Sequence, residues 1–298
     1  IMLTLIIYGL LATWLFLLIV VPSNFQSLAT QYRTVIDGTA NSPFLYRILA
    51  TGLVDLVGNH PQSDRQIAMA YVYAHALIFP LAFGTTYAAL RQWIKPTGAW
   101  LAITLIVMYL PVMYRVYVTS LYLPIELGLF SLALYWRKPG WFYGLLVVLA
   151  ALNRETGIIL VLAFATLHYP RWRERRIQAW TLVYALLWGL IFVGLRLWRG
   201  PAPDDVPVLA AITGNFTPLH ATDTLTYHAF FLPVYAAVFL SWGRLSREVK
   251  RLFRGVVVPY LLLVGIFGFW NEVRLLMPIM PLLAIALMTT LENIMNEA

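Results

Sequence analysis

The sequence contains no cysteine, has only three lysines among its 21 basic residues, and shows almost no extended polar stretch, with charged side chains at 11% of its 298 positions. The absence of cysteine excludes disulfides, thiolate metal sites and a cysteine nucleophile. The scarcity of polar sequence leaves no room for a soluble enzyme module between the apolar runs. What remains is 61% hydrophobic with a mean hydropathy of +0.75, the composition of a polytopic helical membrane protein. A net charge of +8 in a soluble chain would suggest a nucleic-acid partner. Here the placement of basic residues between spans accounts for it, and no nucleic acid is expected.

The expected fold is all-α, a single transmembrane domain over residues 1–298 with about ten spans. Met2–Val21 comes first, ended by Pro22; without a basic leader or a small-residue cleavage site it reads as an anchor, not a signal peptide. The others are Ile67–Leu90, Trp100–Met113, Val118–Trp136, Gly140–Ala151, Ile158–Tyr169, Gln178–Leu197, Ala229–Trp242, Val256–Trp270 and Leu275–Leu291. Residues 22–66 form a long outer loop. Within it, residues 44–57 have helical spacing after Pro43 but are too short and polar to span, so an interfacial helix is expected there.

Two polar blocks interrupt the apolar pattern, Asn153-Arg154-Glu155-Thr156 and Asn271-Glu272-Val273-Arg274. If both are hairpin turns, alternate loops on one side collect 13 of the 21 basic residues, from Arg91 and Lys95 through Arg171–Arg176 to Arg244–Arg254. The other side keeps eight arginines, no lysine and most of the acids. A single span over residues 140–169 would put Arg137 and Lys138 opposite the Arg171–Arg176 cluster, against the rule that cytoplasmic loops collect Lys and Arg. The basic side is therefore expected to be cytoplasmic. At about 1.5 Å per residue the runs 140–152 and 256–270 cover roughly 20 and 22 Å, short of a hydrocarbon core of about 30 Å. The polar turns are thus expected to sit below the outer surface, where such backbone needs surrounding protein or a water-filled cavity.

Asp37, Arg47, Arg115, Glu126, Arg154, Glu155, Glu272 and Arg274 all fall toward the non-cytoplasmic face. Charges at membrane depth are costly and mark sites by default. Arginine forks without competing lysines suit a phosphate, and neighbouring carboxylates suit a general base or the ligands of a divalent cation. Arg154 follows a helix C-terminus and Glu155 precedes a helix N-terminus, so Glu155 is expected to orient Arg154, with Arg274 supplying a second fork. The combination points to group transfer from a lipid phosphate whose tail lies in the bilayer.

A first span, an outer loop with Asp37 and Pro43-Phe44-Leu45-Tyr46-Arg47-Ile48-Leu49, and a short-span pair around Asn153-Arg154-Glu155-Thr156 together resemble the C-type (GT-C) superfamily of polyprenyl-phosphate-sugar-dependent membrane glycosyltransferases. The resemblance covers roughly the first two-thirds of the chain in architecture. It implies a polyprenyl-phosphate-linked sugar as donor, membrane lipids as surroundings, a bacterial cytoplasmic membrane location, and Asp37 as catalytic base or metal-site residue.

Ordinary structural roles are open for the same residues. Asp37 can be the turn residue of an Asp-Gly bend, Arg47 and Arg115 interface anchors, and Arg154–Glu155 or Glu272–Arg274 locks between helices. His75 reads as a hydrogen-bonded helix contact, and His220, Asp223 and His228 have no compact ligand spacing. Gly140 and Gly144 read as a helix-packing pair. A lipid-linked sugar flippase and a structural subunit with membrane protein partners are the alternative functions.

Overall fold

The computed structural model describes residues 1–40, 44–115, 121–200, 213, 218–267 and 273–297; side chains at some helical positions, including Arg115, His220, Asp223 and Arg274, lie outside that description. Every described regular element is helical. In order they are α1 (Met2–Ile36), a 3₁₀ turn (Phe44–Tyr46), α2 (Ile48–Gly58), α3 (Asp64–Leu90), α4 (Pro96–Arg115), α5 (Tyr122–Tyr135) and α6 (Trp141–Asn153). A 3₁₀ turn (Glu155–Gly157) leads to α7 (Ile158–Leu167), α8 (Arg175–Arg199), α9 (Pro218–Ser241) and α10 (Arg247–Leu252). A π turn (Phe253–Val257), α11 (Val258–Phe267), a 3₁₀ segment (Val273–Ile279) and α12 (Met280–Glu297) complete the chain.

Among the described residues, six helical stretches are long and apolar enough to cross a membrane: Met2–Pro22, Asp64–Leu90, Pro96–Tyr114, Arg175–Arg199, Thr224–Ser241 and Leu275–Glu292. This is an all-α membrane protein, with fewer full-length spans than the ten expected. The shortfall lies in α5, α6, α7 and α11, of 14, 13, 10 and 10 residues. Each is cut short by a polar block, by a π turn, or next to residues outside the description. The second polar block is one such place, since residues 268–272 lie outside the described residues.

The first span ends at Pro22 as expected, yet the helix that carries it does not. α1 continues for 14 residues past it, because Leu28, Ala29, Tyr32 and Val35 fall on one helical face and are buried. That packing offsets the roughly 3 kcal/mol a proline costs inside a helix. Further down, α1 meets α3 at an interlock: a Cβ on Gly9 would lie 2.4 Å from the Pro80 ring, so only glycine lets the helices touch there. α3 packs as closely on α5, where Thr85 donates to the Gly128 carbonyl at 3.2 Å and Thr86 and Ser131 share a 2.8 Å bond. His75, buried between α1 and α3, bonds the Tyr71 carbonyl at 2.7 Å and stacks on Phe16 at 3.8 Å.

α6 and α7 run antiparallel. The Tyr143 hydroxyl near the start of α6 donates to the Leu160 carbonyl of α7 at 2.7 Å, and its ring lies 5.0 Å from Phe164. The same stitch recurs where Tyr260 of α11 donates to the Leu275 carbonyl at 2.6 Å. α8 runs parallel to α6, with Trp180 against Trp141, Tyr184 bonding Gly140, and Leu187 and Tyr184 within van der Waals distance of Gly144. The outward side of α8 carries Leu182, Leu186, Leu190, Val193 and Leu197, all exposed. Spacings of three and four put them on one stripe, an apolar surface that suits lipid rather than water.

The loops that the basic residues group together do meet at one end. Glu248 of α10 takes a 2.7 Å bond from Arg137 and a 3.0 Å bond from Trp93, joining the α3–α4, α5–α6 and α9–α10 connections. At the opposite end, Tyr46 donates to the Gly200 carbonyl at 3.0 Å, and Tyr32, Val35, Ala40, Leu45 and Tyr46 are buried.

Candidate functional site

Residues 44–57 do not form one interfacial helix. The chain breaks at Arg47, which has φ −94° and ψ 65° and stands between the Phe44–Tyr46 turn and α2. The break points the Arg47 side chain inward, where it is 7% exposed. Its guanidinium lies 5.0 Å from the Phe44 ring and 4.8 Å from the Tyr122 ring. Tyr122 and Glu126 are four residues apart on α5 and so share a face.

The first polar block reaches the same place from α6. Asn153 is the last residue of that helix, and its side-chain amide donates to the Tyr122 carbonyl at 2.9 Å. Arg154 turns fully extended, with φ −167° and ψ 150°. Residues 155–157 then close a 3₁₀ turn in which the Gly157 N–H donates to the Arg154 carbonyl at 2.9 Å. Glycine is required at 157, because a Cβ there would lie 2.6 Å from the Ala150 carbonyl carbon. Trp188 of α8 fixes the turn from the other side by donating to the Glu155 carbonyl at 3.2 Å. Trp188 lies eleven residues before the end of α8 at Arg199, so the turn sits roughly 16 Å below that end.

Four charged side chains meet there. Arg154, 6% exposed, pairs with Glu126, 3% exposed, at 3.1 Å. Thr156 donates to the other Glu126 oxygen, so both oxygens of that carboxylate are engaged. Arg47 faces Glu155 at 3.6 Å, an ion-pair distance beyond hydrogen-bond range. The Arg154 guanidinium also lies 5.5 Å from the Tyr122 ring, so two cations share one aromatic ring. The cluster is formally neutral, and yet it is not saturated: among the described residues, Nε of Arg47, Nε of Arg154, Oε1 of Glu155 and Oδ1 of Asn153 are buried without a hydrogen-bond partner. Unpaired buried polar atoms carry a desolvation cost of about 1–3 kcal/mol each, which a bound polar group would relieve.

The structure thus joins Arg47, Glu126, Arg154 and Glu155 in one cluster. Among the described residues Arg154 pairs with Glu126 and not with the adjacent Glu155, and Arg47 shares the Tyr122 ring with it; Arg274, the expected second fork, lies outside the described side chains. Asp37 is not part of this arrangement. It is the exposed C-cap of α1, φ −74° and ψ −7°, followed by Gly38 at φ 72°, and its carboxylate makes no ion pair among the described residues. The Arg115 and Arg274 side chains and all of Glu272 lie outside the described residues, although the Val273–Ile279 segment packs on α5, the helix that carries Glu126. The side chains of His220 and Asp223 are likewise outside it, while His228 bonds the Tyr235 hydroxyl at 2.7 Å. No three His, Asp or Glu side chains converge as ion ligands among the described residues.

Sequence reasoning did not find Tyr122 or Thr156. Tyr122 had a signal, its four-residue spacing from Glu126; Thr156 had none beyond its place in the polar block. Comparison with family profiles, with characterised proteins and with solved structures finds no match.

Proposed function

We propose that this protein is a multi-pass glycosyltransferase of the C type that transfers a sugar from a polyprenyl-phosphate donor at the non-cytoplasmic face of a bacterial cytoplasmic membrane. The observation that carries the reading is the pair of buried guanidiniums, Arg47 and Arg154, around the Tyr122 ring with both Nε donors open. An open guanidinium edge in a desolvated site favours an oxyanion, and a phosphate can accept from two such forks at once. The cluster lies toward the end opposite the Arg137–Glu248 junction, which the distribution of basic loops makes the non-cytoplasmic end. Apolar helix faces such as that of α8 offer the lipid tail a bilayer-facing path. In this topology the six long stretches and α5 cross, while α6–α7 form a hairpin whose turn lies below the outer surface.

The test is retention of undecaprenyl phosphate by the purified protein, read by native mass spectrometry, and release of undecaprenyl phosphate from undecaprenyl-phosphate hexoses in nanodiscs. Arg154→Lys keeps the charge and loses the fork, and is expected to weaken lipid-phosphate retention roughly tenfold, ~1.4 kcal/mol. A wild-type protein that neither retains the lipid phosphate nor cleaves the donors would reject the reading.

A second reading has its own observation: each buried arginine already faces a glutamate, which is also how a helix lock is built. Replacing a whole buried pair by apolar residues is often neutral or stabilising. If Arg154→Met with Glu126→Leu folds normally and still binds and turns over the donor, the cluster is a lock and nothing more.

A further inference from the structure

We infer that Glu155, and not Asp37, is the carboxylate that takes the proton from the acceptor hydroxyl, an inference that rests on the transferase reading above. Five carboxylates with described side chains stand toward this end of the bundle, and four are spent or misplaced. Asp55 is held by the Tyr32 hydroxyl and by His60 at 2.8 Å, and Asp64 by Arg33. Glu126 is 3% exposed and gives one oxygen to Arg154 and the other to Thr156, so it has neither access nor a free lone pair directed at a substrate. Asp37 caps α1 in an exposed position, outside the ion pairs of the cluster.

Glu155 differs from all four. Its side chain is 23% exposed, Oε2 lies 3.6 Å from Arg47, and Oε1, though buried, has no hydrogen-bond partner among the described residues. Its backbone, by contrast, is fixed by Trp188 and by the turn that Gly157 closes. A pinned backbone with a loosely held acceptor beside an open arginine edge fits a ligand that offers both a donor and an oxyanion. A hydroxyl acceptor beside a sugar phosphate has that character.

The step balances without a further reagent. The proton passes from the acceptor hydroxyl to the Glu155 carboxylate, and the acceptor oxygen forms a bond to C1 of the sugar. The bond from C1 to the phosphate oxygen breaks with its electron pair left on the lipid phosphate, and the added negative charge falls to Arg47 and Arg154.

The experiment compares the full-length wild type with Glu155→Gln, Glu155→Asp and Asp37→Asn in nanodiscs. It measures undecaprenyl phosphate retention and cleavage of undecaprenyl-phosphate hexoses, with water standing in for the acceptor. Glu155→Gln should lower cleavage by about 100- to 10,000-fold while lipid-phosphate retention stays within about threefold of wild type. Asp37→Asn should stay within a few-fold on both. Near wild-type cleavage by Glu155→Gln, or a loss confined to Asp37→Asn, overturns the inference and leaves the transferase reading standing. A wild type that neither retains the lipid nor cleaves donor takes down both. If Glu155→Gln melts well below wild type, Glu155→Asp carries the test, since it keeps the charge but withdraws the oxygen by one methylene. Reduced cleavage with unchanged lipid retention then supports the inference, and unchanged cleavage overturns it.

Discussion

The protein holds two charged junctions, one at each end of its bundle, and they are built differently. At the basic end, Arg137 and Glu248 are about one-third exposed, and the pair is complete: Glu248 also accepts from Trp93, while Arg137 stacks on that indole at 4.5 Å and donates to the Leu134 carbonyl. Toward the other end, Arg47, Glu126, Arg154 and Glu155 are more deeply buried and leave polar atoms unmatched. A junction that only ties loops together can settle into full pairing in partial contact with water. Unmatched buried polar atoms, by contrast, cost free energy in the resting fold, a cost that the proposed lipid phosphate would relieve.

The largest effect that can break this comparison comes from Glu126→Leu, which strands Arg154 in a desolvated place. Removing one partner of a buried pair costs about 3–5 kcal/mol, and the thermal midpoint of the detergent-solubilised protein should fall accordingly. A loss no larger than that of an exposed pair would mean that water reaches Arg154. Next comes Gly157→Ala, where the new methyl meets the Ala150 backbone, which cannot swing aside as a side chain would. About 1–3 kcal/mol should be lost, together with lipid-phosphate retention, because Arg154 and Glu155 move with the turn. Glu248→Gln at the basic end should cost about 1 kcal/mol or less and leave retention untouched. The smallest perturbation sharpens the sidedness of the two junctions. In this cysteine-free chain, single cysteines at the exposed positions Arg65 and Arg173 should leave stability unchanged and react with an impermeant thiol reagent from opposite faces. Reaction from one face would reverse the topology on which the comparison rests.

The sequence made parts of this legible. Long apolar runs such as residues 67–90 and 178–197 became long helices, because length and composition alone decide them. The α6–α7 return was legible as well: neither run could span, and only a turn at Asn153–Thr156 kept the basic loops together. The continuation of α1 past Pro22 was written in the spacing of Leu28, Ala29, Tyr32 and Val35, but a proline is a local signal and tertiary burial outweighed it. The break at Arg47 was not legible, since nothing in Tyr46-Arg47-Ile48 marks a change of helix type. Pairing was the hardest part. Arg154 is adjacent to Glu155 in the chain, and local reasoning joined them, whereas its partner Glu126 stands 28 residues away on another helix. The extended backbone at Arg154 sends neighbouring side chains in different directions, which is why adjacency misled.

The shortness of α6 and α7 bears on how the protein is made. With 13 and 10 residues, neither helix reaches the roughly 20 residues of a separate span, so the two make one hairpin that carries Arg154 and Glu155. By then the earlier part of the chain, with Arg47 and Glu126, has already been synthesised. Glu126 thus precedes by 28 residues the arginine that pairs with it. On this view the order of synthesis is part of the design: the acid goes in first, and the incoming arginine completes the assembly.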